Sequence, residues 1–445
     1  MKKILGEWLS YIESLHPKTI SMGLDRVNAM IARMALTPKF RIITVAGTNG
    51  KGSTSAMLEN IYHAAGYQVG CYTSPHLLRY NERLRINLQE VDDEALCLAF
   101  AAVEAARLRG SPIELTYFEF GTLAAIWHLV QTSIDVAILE IGLGGRLDAV
   151  NALTPDCAIV TNVDLDHQDY LGDTREKIGV EKAGVYRAYI PAICGDDAPP
   201  ASLTAYAKQI GADFLTIGQH FKITPLENSW QYALQKKSGE AKVEQLPYPA
   251  LSGQYQLNNA ACAVTSVFQL QEKLPVTLSA IHAALKQVFV AGRFEKILVP
   301  VQQGGQKNRA IIFLDVAHNP HAARALKENL KKFAVKKPAK IIAVFAMLND
   351  KDIAAVVDIL KEDIDVWYVA DIAHARGEKA ENIAAIIRNK VPDAIIHCYA
   401  DAAIACEQAL KENQFYKAES ENDKIIAFGS FYTVASVKQW LLNQQ

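Results

Sequence analysis

The stretch VAGTNGKGST, residues 45–54, constrains the fold of this chain more than any other feature. It follows the apolar run RIITVA (41–46) and precedes a helical pattern running from about Ser53 to Ala65. A buried strand, a glycine-rich turn and a helix in that order form a phosphate cradle. The glycines expose backbone N–H groups, the helix N-terminus attracts anions, and Lys51 adds a compact positive charge. The spacing departs from the strict phosphate-loop pattern at two places. Val45 stands at the first glycine position, and Gly52 separates Lys51 from the hydroxyl of Ser53.

The same alternation continues along the chain. IDVAILEI (134–141) and CAIVTNV (157–163) read as buried strands, ending in GLGGRLD and DLDH. Strands spaced by helices predict βαβ units in a parallel sheet, whose functional loops gather at the carboxyl ends of the strands. Residues 213–250 alternate differently and predict a small antiparallel excursion, and 253–274 return to helix. Beyond Arg293 the pattern restarts with KILVPV, the polar turn QQGGQKNR, and strands AIIFLDV (310–316), KIIAVFAM (340–347), VWYVAD (366–371) and KIIAFGS (424–430). The expectation is a P-loop parallel-sheet α/β domain over 1–293, followed by a smaller Rossmann-like α/β domain over 294–445. The total of 445 residues suits two cores.

Composition narrows the function. A net charge of -2 gives no global field for nucleic acid or anionic membrane, so any anion site is local. No run of 18 apolar residues appears, and the N-terminal MKKILGEWLSYIESLHPKT reads as an amphipathic helix, not a secretory signal. The seven cysteines are scattered and form no C-x-x-C pair, as expected of reduced thiols in a cytoplasmic protein.

Several side chains stand where chemistry would need them. Glu140 ends a strongly apolar strand, where an unpaired carboxylate is costly, and His167 lies in the turn after the next strand. Oxygen and imidazole donors near a nucleotide suit Mg²⁺, which takes few protein ligands beside water and phosphate. Asp164 and Asp169 in that turn are equally well read as solvated or capping charges. GLGGRLD (142–148) fails the dinucleotide spacing at Leu147, leaving a close backbone approach or a plain turn. Lys182, in GVEKAGVY, reads from its neighbours alone as a snorkelling surface lysine. Asp315 and His318, in DVAHNPHA, end the first strong strand of the second half.

Taken in order, LHPKTISMGLDRV, GTNGKGS, TSPHLLRYNERLRI, LTYFEFGTLAAIW, LEIGLGGRLDAVN, LDHQDYLG, EKAG, AGRFE, LDVAHNPHA and MLNDKD span nearly the whole chain. Together they resemble the folylpolyglutamate synthase family of the Mur ligase superfamily, and its bifunctional bacterial branch in particular. The resemblance implies ATP-dependent addition of L-glutamate to dihydropteroate and to tetrahydrofolates through an acyl phosphate; a monomer is the expectation for the assembly. It implies that Gly50, Lys51, Gly52 and Ser53 hold the phosphates, and that Ser74, Glu140 and His167 bind two Mg²⁺ ions, with room for a monovalent cation. Lys182 would be carbamylated, which reverses the reading from its neighbours. Asn259, Arg293 and Asp315 would meet ATP, and His318 the glutamate or the intermediate. The pterin would lie against Thr19, Ile20, Ser21 and Met22, against Thr116, Tyr117 and Phe118, and against Leu147, Asp148 and Ala149. Ser21 departs from the pattern, since the bifunctional members carry an acidic residue there. Competing readings are a monofunctional folylpolyglutamate synthase, a Mur-type cell-wall amino-acid ligase and a non-catalytic nucleotide-binding regulator. Only 46 residues precede Gly47, too few for the extra domain that usually precedes this loop in a cell-wall ligase.

Overall fold

The computed structural model describes residues 3–16, 20–235, 241–303, 306–332, 339–413, 415 and 423–444. Thr19 and part of the turn QQGGQKNR lie outside them. The chain divides into two compact units, Met1–Ala250 with Tyr255–Phe289, and Leu251–Gln254 with Val290–Gln445.

The first unit is built on eight strands: β1 (Arg41–Ala46), β2 (Val69–Tyr72), β3 (Leu84–Ile86), β4 (Gln89–Glu90), β5 (Val136–Glu140), β6 (Cys157–Val160), β7 (Pro191–Cys194) and β8 (Asp213–Thr216). Their order is β4-β3-β2-β5-β1-β6-β7-β8, parallel from β2 to β8 with an antiparallel edge at β3 and β4. β1 is central because IITVA is apolar on both faces and wholly buried, as a strand covered on both sides requires. Its register places Val45 beside Glu140 and Ala46 beside Val160. The chain leaves β1 toward β2 on one side and later adds β6 on the other. The loops after β1, β5 and β6 therefore open at one switch point, where α/β sheets bind ligands.

The helix Lys51–Ala64 packs against the helices Tyr255–Gln269 and Leu278–Gln287 and against β1, β2 and β5. Its first turns are KGSTSA, small side chains that let three helices and a sheet approach closely, and residues 53–59 are all buried.

The excursion at 213–250 is antiparallel only in part. β8 joins the main sheet in parallel, while β9 (Phe221–Pro225), β10 (Trp230–Gln235) and β11 (Ala241–Leu246) form the separate three-stranded antiparallel sheet.

The second unit carries β12 (Glu295–Gln303), β13 (Gln306–Asp315), β14 (Ile341–Phe345), β15 (Val366–Ala370), β16 (Ile395–Tyr399) and β17 (Lys424–Phe428), in the order β12-β13-β17-β14-β15-β16. Among the described strands of this sheet the β12–β13 pair is antiparallel and the other pairs are parallel. The expected polar turn between them is shorter than its sequence suggests, since Gln303 already pairs with Gln306. All seven cysteines are free thiols. Among the described residues no helix is long and apolar enough to cross a membrane.

Candidate active site

Three loops meet at the carboxyl ends of β1, β5 and β6. The phosphate loop is clamped to the loop after β6. Thr48 N–H donates to Asn162 O at 3.0 Å, Asn49 N–H to Asn162 Oδ1 at 3.0 Å, and the Thr161 hydroxyl to Asn49 O at 2.6 Å. Asp164 N–H donates to Thr48 Oγ1 at 2.9 Å. Gly50 caps the helix with φ 84°, and a Cβ there would collide with the Asn259 amide, so only glycine fits. Asn259 is held in turn by donating to Gln256 Oε1 at 2.9 Å, and Gln256 donates to Ser53 Oγ at 3.3 Å. Lys51 Nζ lies 3.1 Å from Gly47 O and 3.3 Å from Thr48 O, which folds its charge over the loop. This N–H cradle with one lysine fits a nucleotide's phosphates.

Glu140 is buried at the end of β5 and accepts from Ser74 N–H at 3.2 Å. His167 has φ 50° and caps the short helix Gln168–Leu171, its N–H donating to Asp166 Oδ1 at 2.9 Å. Asp169 is exposed, and Asp164 Oδ1 accepts from its neighbour Leu165 N–H. Among the described residues no group of three His, Cys, Asp or Glu could hold a metal ion. Ser74 with Glu140 makes a sparse hard-donor set of the kind Mg²⁺ shares with phosphate and water.

Lys182 is not a surface lysine. It is only 3% exposed, at the end of the helix Arg175–Ala183. The loop 142–149 seals it in. Arg146 N–H donates to Glu181 O at 2.7 Å and its guanidinium pairs with the Glu181 carboxylate at 2.7 Å. A Cβ at Gly145 would lie 2.6 Å from that same carbonyl, so GLGGRLD is a close-approach loop and not a free turn. Burial first, and then the charge of Lys51, lowers the Lys182 pKa to about 7, against the opposing pull of Asp166 and Asp148. Asp148 is likewise buried, and burial raises its carboxyl to about 6 despite N–H bonds from Leu143 and Val150 and the nearby Lys51 charge.

The predicted pterin segments converge. Thr116 caps the helix Tyr117–Gln131 in a reciprocal box with Glu119. The Glu119 carboxylate takes the Arg26 fork, at 2.8 Å from Nη2 and 3.1 Å from Nε, and Arg26 Nη2 also donates to Ser21 O at 2.7 Å. Gly23 N–H donates to Leu147 O at 3.3 Å, and the Phe118 ring lies against Gly142. Ile20, Ser21, Met22, Tyr117, Phe118 and Leu147 are partly exposed, while Thr116, Asp148 and Ala149 are buried.

In the second unit, Asp315 is buried at the end of β13 and accepts from Phe294 N–H at 2.9 Å and Ala317 N–H at 2.8 Å. Burial raises its carboxyl to about 6, opposed by the Arg293 and His318 charges. The Arg293 guanidinium stands 5.4 Å from the Phe431 ring centre, and His318 Nδ1 lies 2.8 Å from Val316 O.

One residue pair escapes reading from sequence. Arg85 on β3 forks onto the Glu59 carboxylate of the phosphate-loop helix, with contacts of 2.6, 3.0 and 3.1 Å. Its remaining nitrogen lies 3.3 Å from Thr73 Oγ1, next to Ser74. Glu59 is 2% and Arg85 21% exposed. Breaking such a buried pair costs about 3–5 kcal/mol, and the partial exposure of Arg85 puts Glu59→Ala at the low end. A drop of about 3 kcal/mol in urea unfolding is the expected result; a change under about 0.5 kcal/mol, as for an ordinary surface site, would refute it.

Family models match both units: the Mur ligase middle domain over residues 45–267, and the Mur ligase glutamate ligase domain over 292–431. The chain is 40% identical over 437 residues to the dihydrofolate synthase/folylpolyglutamate synthase of Escherichia coli K12, covering 98% of this chain and 95% of that one. It is 36% identical to the Haemophilus influenzae enzyme of the same name, covering 97% and 96%. Its fold is similar to a structure of E. coli FolC in complex with DHPP and ADP, with TM-score 0.87, 39% identity and coverage of 99% and 98%. It also matches a bifunctional folylpolyglutamate synthase/dihydrofolate synthase with Mn, AMPPNP and L-glutamate bound, with TM-score 0.84, 39% identity and the same coverage. On these matches the chain belongs to the dihydrofolate synthase/folylpolyglutamate synthase family of Mur ligases.

Proposed function

We propose that this protein is an ATP-dependent ligase that joins L-glutamate to dihydropteroate, forming dihydrofolate, and to tetrahydrofolates, forming polyglutamates. One observation carries the reading: the loop 142–149 links the two halves of the site. It seals Lys182 beside the Lys51 charge, and through Leu147 and Gly142 it touches Gly23 and Phe118 on the pterin side.

The chemistry follows from the groups present. A carboxylate is a poor electrophile until one oxygen becomes a leaving group. Transfer of the γ-phosphoryl of ATP onto it gives an acyl phosphate, which the glutamate amine attacks with loss of phosphate. The Lys51 charge and the loop N–H groups of residues 50–53 stabilise charge on the transferring phosphoryl. Ser74, Glu140 and His167 would hold two Mg²⁺ ions, which supply further charge neutralisation when bound, and a monovalent cation could sit beside them. Asn259 is assigned to the nucleotide. Ile20, Ser21, Met22, Thr116, Tyr117, Phe118, Leu147, Asp148 and Ala149 are assigned to the pterin. In the second unit, Arg293 and Asp315 are assigned to the nucleotide and His318 to the glutamate or intermediate. Lys182, half neutral near pH 7, is assigned as a carbamate. We place the enzyme in the cytoplasm as a monomer, with the domain boundary near Arg293.

The test is ADP release with Mg-ATP and L-glutamate, comparing dihydropteroate, tetrahydrofolate and no acceptor. Turnover with both acceptors is expected. Turnover with tetrahydrofolate alone would leave a chain-extending enzyme and make Ser21 the first position to change. No acceptor-dependent turnover would refute the folate assignment.

A further inference from the structure

Two arginines at the neck of the segment Thr73–Arg85 are buried in opposite ways. Arg85 has the Glu59 carboxylate. Arg83 has no carboxylate partner among the described residues, although it is only 9% exposed. Its Nε donates to His76 Nδ1 at 2.8 Å, so that ring nitrogen is an acceptor. The guanidinium stands 5.1 Å from the Tyr80 ring centre and 5.7 Å from that of Tyr117. The side chains it touches are thus an imidazole and two phenol rings, and none is a carboxylate.

The frame around it is rigid. Thr73 N–H donates to Arg83 O at 2.8 Å and closes the neck. Glu82 accepts from the N–H groups of Leu77, Leu78 and Arg79, each at 2.7 Å. Tyr117 follows the Thr116 cap, and the Tyr72 ring centre is 6.4 Å from that of Phe118. The Tyr80 hydroxyl is also buried and has no hydrogen-bond partner. The outer nitrogens of Arg83 are not among the fully buried unsatisfied atoms, so a mostly enclosed cation against aromatic walls still presents donors to an anion. A guanidinium fork matches a carboxylate in bidentate fashion, and its stacking on the tyrosines fixes the plane of the fork.

The two acceptors differ in one relevant respect. Dihydropteroate carries a single carboxylate, which is the group that reacts beside Lys51. A folate carries a second, the α-carboxylate of its glutamyl residue, which does not react. On the ligase reading above, we propose that Arg83 binds this α-carboxylate, so that it serves chain extension and not the first glutamate addition. Arg83 is then a specificity-determining residue that separates the two activities of one site.

The test pairs a protein change with a ligand change. Arg83→Gln is expected to raise KM for tetrahydrofolate about 30-fold, the usual worth of a charge-assisted hydrogen-bonded pair, while turnover of dihydropteroate stays within about twofold of the wild type. On the ligand side, the tetrahydropteroyl conjugate of γ-aminobutyrate keeps the reacting carboxylate and lacks the α-carboxylate. The wild type should use it about 30-fold less well than tetrahydrofolate, and Arg83→Gln should use the two alike. Equal losses with dihydropteroate and tetrahydrofolate, or a raised KM for glutamate with dihydropteroate as acceptor, would overturn the proposal. If Arg83→Gln fails to fold, the wild type decides alone: equal use of the two conjugates rejects it. Wild-type dihydropteroate turnover keeps the ligase reading separate from either outcome.

Discussion

Lys182→Ala is expected to lower kcat with both acceptors about a thousandfold, the scale of about 4 kcal/mol at the transition state. Lys182→Arg should lose as much, because a permanent cation cannot take up CO₂. The lysine is buried beside Lys51, and its pKa falls to about 7. Near neutral pH the free amine is therefore within reach, and on the proposed carbamate assignment it would attack CO₂. A new N–C bond would form and a proton would leave, giving the proposed carbamate. The repulsion between two lysine cations would then become an attraction between Lys51 and an anion. Bicarbonate added to CO₂-depleted wild type should restore turnover, and a short carboxylate such as acetate should partly restore Lys182→Ala but not Lys182→Arg. Turnover within a few-fold of wild type for both variants would remove Lys182 from the mechanism. The unmodified chain also carries a stability signature. The folded pKa is depressed from 10.5 to about 7, so between those values the unfolded state binds more protons. Stability from this group then rises with pH across that window and is lost as pH falls through 7. CO₂-free wild type should show the rise in urea midpoint from pH 7 to 9, and Lys182→Ala should lack it.

Lys182 also marks where sequence reading stops. REKIGVEKA is rich in charge, and nothing within it says that one lysine is sealed. Its burial comes from Gly145 and Arg146, more than thirty positions away. The phosphate loop was legible because strand, glycine turn and helix are contiguous, and each enforces the next. Glu140 was legible because a carboxylate ending VAILE is out of place in an apolar strand. The sheet was only half visible. VGCY, PAIC and DFLT are four-residue strands with little period to read, and IIHCY is a partly exposed edge. Arg83 and Arg85, in NERLRI, look like solvated charges. One has its carboxylate on a helix 26 positions earlier, and the other has none among the described residues.

Lys51→Ala should lower kcat/KM for ATP by about a thousandfold, within the range seen for groups that neutralise a transferring phosphoryl, and leave the fold intact. The side chain adds two contacts to loop carbonyls, but the loop has other clamps. The loop's own clamps run from Thr48 and Asn49 to Thr161, Asn162 and Asp164. The two carbonyls of Gly47 and Thr48 aim the Lys51 ammonium, a compact charge held over the loop. Removing it also removes a cation from beside Lys182 and Asp148. The Lys182 pKa should rise from about 7 and that of Asp148 from about 6, because Lys51 lowers both. Carbamylation then requires a higher pH, so the residual activity of Lys51→Ala should have its rising limb shifted to the alkaline side of the wild type. A melting temperature in nucleotide-free buffer equal to or above that of the wild type would separate this catalytic loss from unfolding. Near-normal turnover would mean that the phosphate sits elsewhere, and an unshifted pH profile would mean that Lys51 and Lys182 do not sense each other across the site.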